Sequence, residues 1–252
     1  MNMTEIERII QKGVITPDYL DSEVQCDFLV DENRKKLWVI SLDLLFELDK
    51  VCKKHNINYY LAGGTLLGAV RHHGFIPWDD DIDLFMNRDD YEKFIKLGNE
   101  FSEPYFLQNA NTDPNFLYSC TRLRNSNTTY IVKKFKYQNF NQGIYISIFP
   151  IDNWDLENGV EKYNRIKELL RDNSAYMRKS IPNPTAEDIE RIKTHSGRNP
   201  QDVCNEIHQI ASQYRNVNTQ YKSLAVCTVY KYEKIFFMQW TLQNPYLGTL
   251  IV

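Results

Sequence analysis

The stretch from Gly63 to Tyr91, GGTLLGAVRHHGFIPWDDDIDLFMNRDDY, limits most narrowly what this chain can form. A short aromatic segment, NYYLA, leads into the glycine pair, and a helix-like run, LLGAVRHH, follows it and ends at Gly74. This order predicts a strand, a glycine turn and a helix. Pro77 then breaks the chain, and Asp81–Met86 (DIDLFM) alternates acidic with apolar residues, as a strand with one buried face does.

The acidic residues of this stretch predict a metal site. Asp81 and Asp83 lie two apart on the expected strand, so both carboxylates project from one face and can bind one hard divalent cation. We therefore predict Mg²⁺, or Mn²⁺, as a cofactor. Asp79 and Asp80 are open to three interpretations: further ligands, groups that support the ligands, or part of a turn.

The glycine turn predicts a phosphate site beside that metal. Gly63 and Gly64 carry no side chains and precede a helix, whose free N–H groups can hold a phosphate together with the Thr65 hydroxyl. Arg71 adds positive charge for the same anion. Metal, phosphate site and arginine together suit phosphoryl or nucleotidyl transfer, in which the protein mainly positions the reactants.

Several neighbouring residues have simpler structural interpretations. His72 and His73 stand at a helix end, where histidines commonly act as caps. Trp78 either stacks on the base of a nucleotide or closes the core, and the core is the more usual place for it. Arg122 and Arg124 alternate on an expected strand, so they either reach donor phosphates or line its solvent face.

The rest of the chain predicts an α+β fold. Apolar spacing indicates an amphipathic helix over Asp31–His55 and a helix over Arg88–Leu97. Further strands are expected at Tyr105–Gln108, Phe116–Leu123 and Gly143–Pro150. From about residue 156 the sequence is charged and helix-periodic, so we predict a core over residues 1–155 and a helical part over residues 156–252.

Composition excludes several classes of protein. Thirty Lys and Arg against 33 Asp and Glu give a net charge of −3, which does not suit binding to a nucleic acid. The start MNMTEIERII lacks the features of a signal peptide, and the most apolar window, residues 37–48, is too short to span a bilayer. The five cysteines are scattered without metal-ligand spacing. We therefore expect a cytoplasmic protein with reduced thiols.

The stretch YYLAGGTLLGAVRHHGFIPWDDDIDLFMNRDDYEKF resembles the signature of the LicD family, which is related to fukutin and belongs to the nucleotidyltransferase-fold superfamily. The similarity extends from about residue 35, through TRLRNSNTTY, to GIYISIFPID ending at Asp152. The resemblance implies a mixed β-sheet with flanking helices and a C-terminal helical part. It also implies transfer of a phosphorylated alcohol, typically phosphocholine, from a CDP-linked donor to a glycan or glycolipid, as in modification of lipopolysaccharide or teichoic acid.

The resemblance also implies site residues. The glycine turn faces the donor phosphates, which carries over to Gly63 and Gly64, and the acid-apolar-acid strand binds magnesium, which carries over to Asp81 and Asp83. Arg122 is a candidate for phosphate binding because the family often has a basic residue there.

Two departures from the family pattern leave other functions open. Ser147 stands where the family generally has a third acid, and Asp152 can replace that acid only if the strand end curls back. Family members usually continue towards a Tyr-Gly-Asp end, whereas this chain ends in GTLIV, which suggests a truncated or frameshifted gene. The alternatives are a nucleotidyltransferase acting on a small molecule, and a catalytically impaired member that binds a nucleotide or glycan.

Overall fold

The structure is a computed structural model that describes residues 4–178, 182–194, 198–219, 221–224 and 228–231. Within these residues the helices are α1 (Glu5–Gln11), α2 (Glu32–His55), α3 (Gly63–His72), α4 (Arg88–Phe94), α5 (Val160–Arg178), α6 (Ala186–Thr194) and α7 (Pro200–Ala211). The strands are β1 (Glu23–Gln25), β2 (Phe28–Val30), β3 (Tyr60–Leu61), β4 (Asp83–Asn87), β5 (Tyr105–Gln108), β6 (Thr121–Asn125), β7 (Ile144–Trp154), β8 (Tyr221–Leu224) and β9 (Thr228–Lys231). The predicted α+β class is confirmed.

The strands β3 to β9 form one mixed sheet whose main order is β3-β4-β7-β6-β5. The central strands β4 and β7 pair in parallel, whereas the neighbouring pairs are antiparallel. A parallel pair requires a long crossover, and here that connection contains α4, β5 and β6. The result brings residues about sixty positions apart in the sequence side by side at the centre of the sheet.

The two faces of the sheet differ in chemistry. Successive residues of a strand point to opposite faces. Leu84 on β4, Leu123 on β6 and Ile148 on β7 are fully buried in the main core, on the face that α2 covers. The residue that precedes each of them therefore points to the other face, which carries the candidate site.

The helix α2 confirms the predicted amphipathic helix. Asp31 caps its N-terminus by accepting a hydrogen bond from the Arg34 N–H at 2.8 Å, and Asn56 ends it in the left-handed conformation with φ of 52°. On the buried side, Leu44 and Leu48 are fully enclosed. At about 25 cal/mol per Å², burial of such a leucine contributes roughly 2 kcal/mol.

The helix α1 is held against α2 by a buried carboxylate. Asp43 of α2 is fully enclosed and accepts hydrogen bonds from Arg8 at 2.7 Å and Lys12 at 2.5 Å, both on or just after α1. The Tyr105 hydroxyl donates to the same carboxylate at 2.8 Å. These bonds compensate the cost of burying the charge.

The predicted C-terminal helical part is confirmed by α5, α6 and α7. Trp154, Leu169 and Ile207 form the centre of a second apolar cluster between β7, α5 and α7. The strand β8 pairs with residues 151–154 of β7, so this part of the chain also adds to the central sheet. The division into residues 1–155 and 156–252 stays a prediction, and the chain end after residue 231 lies outside the described residues.

Some predicted boundaries were wrong. The strand expected over Phe116–Leu123 begins only at Thr121, because Phe116 is instead buried in an aromatic cluster with Tyr118 and Phe140. The last strand of the core continues beyond Pro150 to residue 154, and the helix expected over Arg88–Leu97 ends at residue 94. Helix α1 and the β1–β2 hairpin were not predicted.

The described cysteines are unpaired, as expected: Cys52, Cys120 and Cys204 are buried and Cys26 is exposed. Cys227 lies outside the described residues. Among the residues that the structure describes, no helix combines the length and the apolar character needed to cross a membrane.

Candidate functional site

Three carboxylates meet just before β4, and a fourth begins that strand. One carboxylate oxygen each of Asp79, Asp80 and Asp81 lies within 4.8 Å of the others, and Asp83 is the first residue of the strand. Asp81 precedes the strand rather than lying on it, which corrects the predicted placement of both acids within one strand. These hard oxygen ligands, gathered in a small volume, fit the requirements of Mg²⁺ or Mn²⁺.

Two residues of α2 hold the backbone of this acidic segment. The Arg34 guanidinium and the Trp38 indole N–H both donate to the Asp79 carbonyl oxygen, at 2.8 and 2.9 Å. The Trp38 ring also stacks on Phe75 with ring centres 4.7 Å apart. Sequence reasoning missed these supports, although Arg34 and Trp38 are one helical turn apart on a helix that it did predict.

The glycine turn and the N-terminus of α3 lie directly beside the acids. Gly63 adopts a φ of +48°, and a Cβ on Gly64 would stand 2.5 Å from Asp79 Oδ2, so both positions suit glycine. No side chain caps the N-terminus of α3. Its first N–H groups therefore stay available to an anion.

Thr65 joins the helix to the strand. The Asp83 N–H donates to Thr65 Oγ1 at 2.9 Å, and the Ala62 N–H donates to the Asp83 carbonyl at 2.9 Å. Through these bonds the structure brings Gly63, Gly64 and Thr65 together with the acidic segment.

The crowded carboxylates favour protonation. Partial burial, followed by repulsion from Asp83, Asp79 and Asp80, raises the pKa of Asp81 to about 7. Burial also raises the pKa of Asp83, although a hydrogen bond from Ser147 and the charge of Arg122 act in the opposite direction. Such repulsion among carboxylates disappears when a divalent cation joins them.

Asp83, Ser147 and Arg122 form a row across three strands. Asp83 pairs with Ser147 in the parallel β4–β7 register, and Ser147 pairs with Arg122 in the antiparallel β7–β6 register. The Ser147 side chain forms a hydrogen bond with the Asp83 carboxylate. The position expected to hold a third acid therefore does face the site, and a hydroxyl occupies it.

Arg122 is buried, and its guanidinium packs against three aromatic rings. Its guanidinium carbon lies 3.8 Å from the centre of the Tyr145 ring, 5.1 Å from that of Tyr118 and 5.2 Å from that of Phe116. Its Nε has no hydrogen-bond partner among the described residues. Arg122 is thus not on a solvent-facing strand surface, which was the alternative interpretation.

Tyr130 connects a loop to the acidic segment. Its hydroxyl donates to Asp80 Oδ2 at 2.7 Å, and its ring meets that of Tyr145 at a centre distance of 6.0 Å. Burial, followed by the hydrogen bond to Asp80, raises the pKa of Tyr130, so the phenol keeps its proton as the donor. No sequence motif marked this contact, since fifty residues separate the two partners.

A cavity of about 170 Å³ adjoins the acids. Gly64, Thr65, Asp79 and Asp81 are among its lining residues, together with apolar residues such as Phe75 and with further polar residues. A concave site that mixes apolar side chains with a few polar groups is the usual construction of a small-molecule site.

Other candidates lie apart from these groups. Arg71 is exposed near the C-terminal end of α3, where its Nε donates to His72 Nδ1 at 3.3 Å, and it does not line the cavity. His73 is the C-cap of α3, as expected of a histidine at a helix end, whereas His72 lies within the last turn. Trp78 is 52% exposed and contacts the ring of Phe28 in the hairpin edge-on. The prediction that Trp78 lies in the core was therefore wrong.

Asp152 does not replace the missing acid. It lies five positions after Ser147 on one strand and so points to the opposite face. There its two carboxylate oxygens accept hydrogen bonds from Arg88, both at 2.6 Å.

A known protein family matches the part of the chain that contains these residues. The family profile described as LicD/FKTN/FKRP, nucleotidyltransferase domain, matches residues 56–187, which include the glycine turn, the acids, Arg122 and Ser147. This is more than half of the chain.

Individual relatives match over shorter segments. A lipopolysaccharide cholinephosphotransferase, LicD, of Haemophilus influenzae is 45% identical over 73 residues, which is 29% of this chain and 28% of that protein. The human ribitol 5-phosphate transferase FKRP is 53% identical over 34 residues, or 14% of this chain and 7% of that protein. An uncharacterized protein of Rickettsia prowazekii is 38% identical over 96 residues, covering 35% and 36% of the two chains. The aligned segments thus span little more than a third of these relatives at most.

Proposed function

Because the chain belongs to the LicD/FKTN/FKRP nucleotidyltransferase domain family, we propose that it transfers a phosphorylated alcohol such as phosphocholine from a CDP-linked donor to a hydroxyl of a cell-surface glycan or glycolipid. The observation that carries the proposal is the convergence of the acidic segment Asp79–Asp83 and the uncapped N-terminus of α3. One group suits a divalent cation and the other suits a phosphate, and a nucleoside diphosphate donor bound to a metal needs both.

The residues have distinct proposed roles. Asp81 and Asp83 hold Mg²⁺ or Mn²⁺, with Asp79 and Asp80 beside them, and the ion neutralises phosphate charge when bound. Gly63 and Gly64 let the donor approach the backbone, and Thr65 and the free N–H groups of α3 bind phosphate oxygens. Arg122, at the other end of the row Asp83–Ser147–Arg122, binds a second phosphate of the donor.

The reaction requires no covalent enzyme intermediate. An oxygen of the acceptor sugar attacks the phosphorus that carries the alcohol, and the bond from that phosphorus to CMP breaks. The acceptor hydroxyl loses its proton to solvent, and CMP leaves. The chain's contribution is to position the donor and to stabilise the charge on its phosphates. Arg71, which lies towards the far end of α3, has at most an indirect role in this scheme.

A binding function without catalysis is the second candidate, and Ser147 favours it. A catalytic site that uses two metals needs carboxylates to bridge them, and at this position of β7 the chain supplies a hydroxyl. A nucleotidyltransferase that acts on a small molecule would use the same metal and phosphate site, but it would transfer the nucleoside monophosphate to its product.

Calorimetric titration of CDP-choline, with and without Mg²⁺, tests the donor site. We expect binding that depends on Mg²⁺ and is lost in a double Asp81→Asn, Asp83→Asn variant. The control is Asp202→Asn, which removes an exposed acid on α7 outside the site and should bind as the unmodified chain does. Absence of Mg²⁺-dependent binding in the folded unmodified chain would contradict the proposal.

Product analysis then separates the candidates. Incubation with CDP-choline or CDP-ribitol and a glycan acceptor should release CMP and add the phosphorylated alcohol to the sugar. Transfer of CMP itself to the acceptor would identify a nucleotidyltransferase. Binding of the donor with no product from any acceptor would favour the binding function.

A further inference from the structure

Arg122 is a buried cation without an anionic partner among the described residues. Its side chain is 8% exposed, its Nε is unsatisfied, and aromatic rings surround the guanidinium. An unpaired charge in such a place is costly, and native proteins normally compensate it with an ion pair or a ligand. The carboxylate recorded as acting on its charge is Asp83, which lies across Ser147 and forms no ion pair with it.

Two other buried arginines, one on the sheet and one on α4, are satisfied. Arg124, two residues further on the same face, donates to Gln108 Oε1 and, at 2.5 Å, to the Gly143 carbonyl. Arg88 forms a paired contact with Asp152 on the opposite face. Arg122 differs from both: the side-chain hydrogen bond recorded for it is with the Cys120 thiol, a weak acceptor, and its Nε has no partner among the described residues. This difference points to an anionic partner that arrives with a ligand.

The position of Arg122 defines that ligand. The row Asp83–Ser147–Arg122 places the guanidinium on the far side of Ser147 from the acids. If a cation at the acids holds one phosphate of a diphosphate, the second phosphate can therefore extend towards Arg122. The planar guanidinium suits two oxygens of such a group.

We propose that Arg122 takes the place of a second metal ion at this site, binding one phosphate of a diphosphate, and that Ser147 permits this by leaving Arg122 unpaired. The inference rests on the proposed function for the identity of the donor, but it concerns the diphosphate alone. It implies one divalent cation for each bound diphosphate.

The identity of residue 147 matters because of its distance from Arg122. Directly opposed residues of antiparallel strands have Cβ atoms about 4.5–5.5 Å apart, so a carboxylate at position 147 would pair with Arg122. It would also repel phosphate and could help to hold a second cation with Asp83. Ser147 does neither. An acid at this position should therefore weaken anion binding in this chain rather than restore a lost function.

Binding of inorganic pyrophosphate at saturating Mg²⁺ tests the inference without any turnover. We expect Arg122→Gln to weaken pyrophosphate binding at least tenfold. We expect the same of Ser147→Asp, whereas Ser147→Asn, which has the same size without the charge, should stay within threefold of the unmodified chain. Circular dichroism and melting temperature would show that each variant is folded.

The cation count gives an independent measurement that needs no variant. Titration of the unmodified chain with Mn²⁺ in the presence of pyrophosphate, followed by electron paramagnetic resonance, should show one bound ion per chain. Two ions would overturn the inference, as would tighter pyrophosphate binding in Ser147→Asp or equal losses in Ser147→Asp and Ser147→Asn.

Failure of the inference and failure of the proposed function give different results. If the chain transfers no phosphorylated alcohol but loses pyrophosphate binding in Arg122→Gln, only the proposed function fails. If CDP-choline is used normally and pyrophosphate binds equally well in Arg122→Gln, only the inference fails.

Discussion

At the scale of single residues, Gly64 shows how tightly the glycine turn and the acids are fitted. A Cβ there would meet Asp79 Oδ2 at 2.5 Å, a distance that forces the carboxylate to move. The residue is therefore required by the approach of a carboxylate, whereas Gly63 is required by its positive φ.

Gly64→Ala should weaken metal binding because the added methyl displaces Asp79 from the acidic group. We expect a loss of roughly tenfold in Mn²⁺ affinity, equivalent to ~1.4 kcal/mol, measured by calorimetry. Gly98→Ala is the matched control, since a Cβ at that position meets nothing within 4 Å. Unchanged Mn²⁺ affinity in the Gly64 variant would show that Asp79 does not contribute to the site.

At the scale of elements, the bond between Arg88 and Asp152 ties α4 to β7 on the face opposite the site. Both side chains are almost fully enclosed. Arg88 also donates to His208 Nδ1 of α7 at 3.1 Å, and burial, followed by the charge of Arg88, lowers the pKa of His208 to about 3. A neutral His208 can accept this bond at all ordinary pH values.

Removing one partner of this contact should destabilise the fold while leaving the site intact. Arg88→Met leaves Asp152 charged and buried, so we expect a loss of roughly 3–5 kcal/mol in the free energy of unfolding by urea. The double variant with Asp152→Leu should recover part of that loss. Mn²⁺ affinity should not change in the folded double variant, and a decrease would place Asp152 among the metal-binding groups after all.

At the scale of the whole molecule, the acidic site opposes stability in the absence of metal. The pKa of Asp81 is raised to about 7 from an ordinary value of 3.8, so the folded state binds this proton more tightly than the unfolded chain does. The favourable contribution of the proton is present at low pH. It is lost as the pH rises from about 4 to about 7, and above that range the charged carboxylate destabilises the fold.

Asp81→Asn should therefore raise the melting temperature of the metal-free protein at pH 8. The gain should be on the order of 2 kcal/mol, and it should shrink as the pH is lowered from 7 towards 4. Mg²⁺ should stabilise the unmodified chain but much less the variant, as measured by calorimetric melting. A gain independent of pH would show that Asp81 titrates normally in the folded state.

Local patterns were enough to predict much of this protein. The periodicity of α2, the glycine turn, the helix after it and the acids before β4 all arise within short windows, where spacing and residue type decide the conformation. The family resemblance added the fold and the expected chemistry. Errors fell at strand ends such as Thr121, where burial of distant aromatic rings, rather than local propensity, sets the boundary.

Tertiary structure alone decided what surrounds the acids. Whether Ser147 faces Asp83 and Arg122, and whether Asp152 points away, depends on the register of strands joined by long connections, and a shift of one residue would reverse both. The same holds for Arg34 and Trp38, which reach the Asp79 carbonyl from another element. Sequence determined the chemical groups available to the site because composition and short-range spacing are local properties. Their pairing was decided by long-range packing of the sheet, which no local pattern contains.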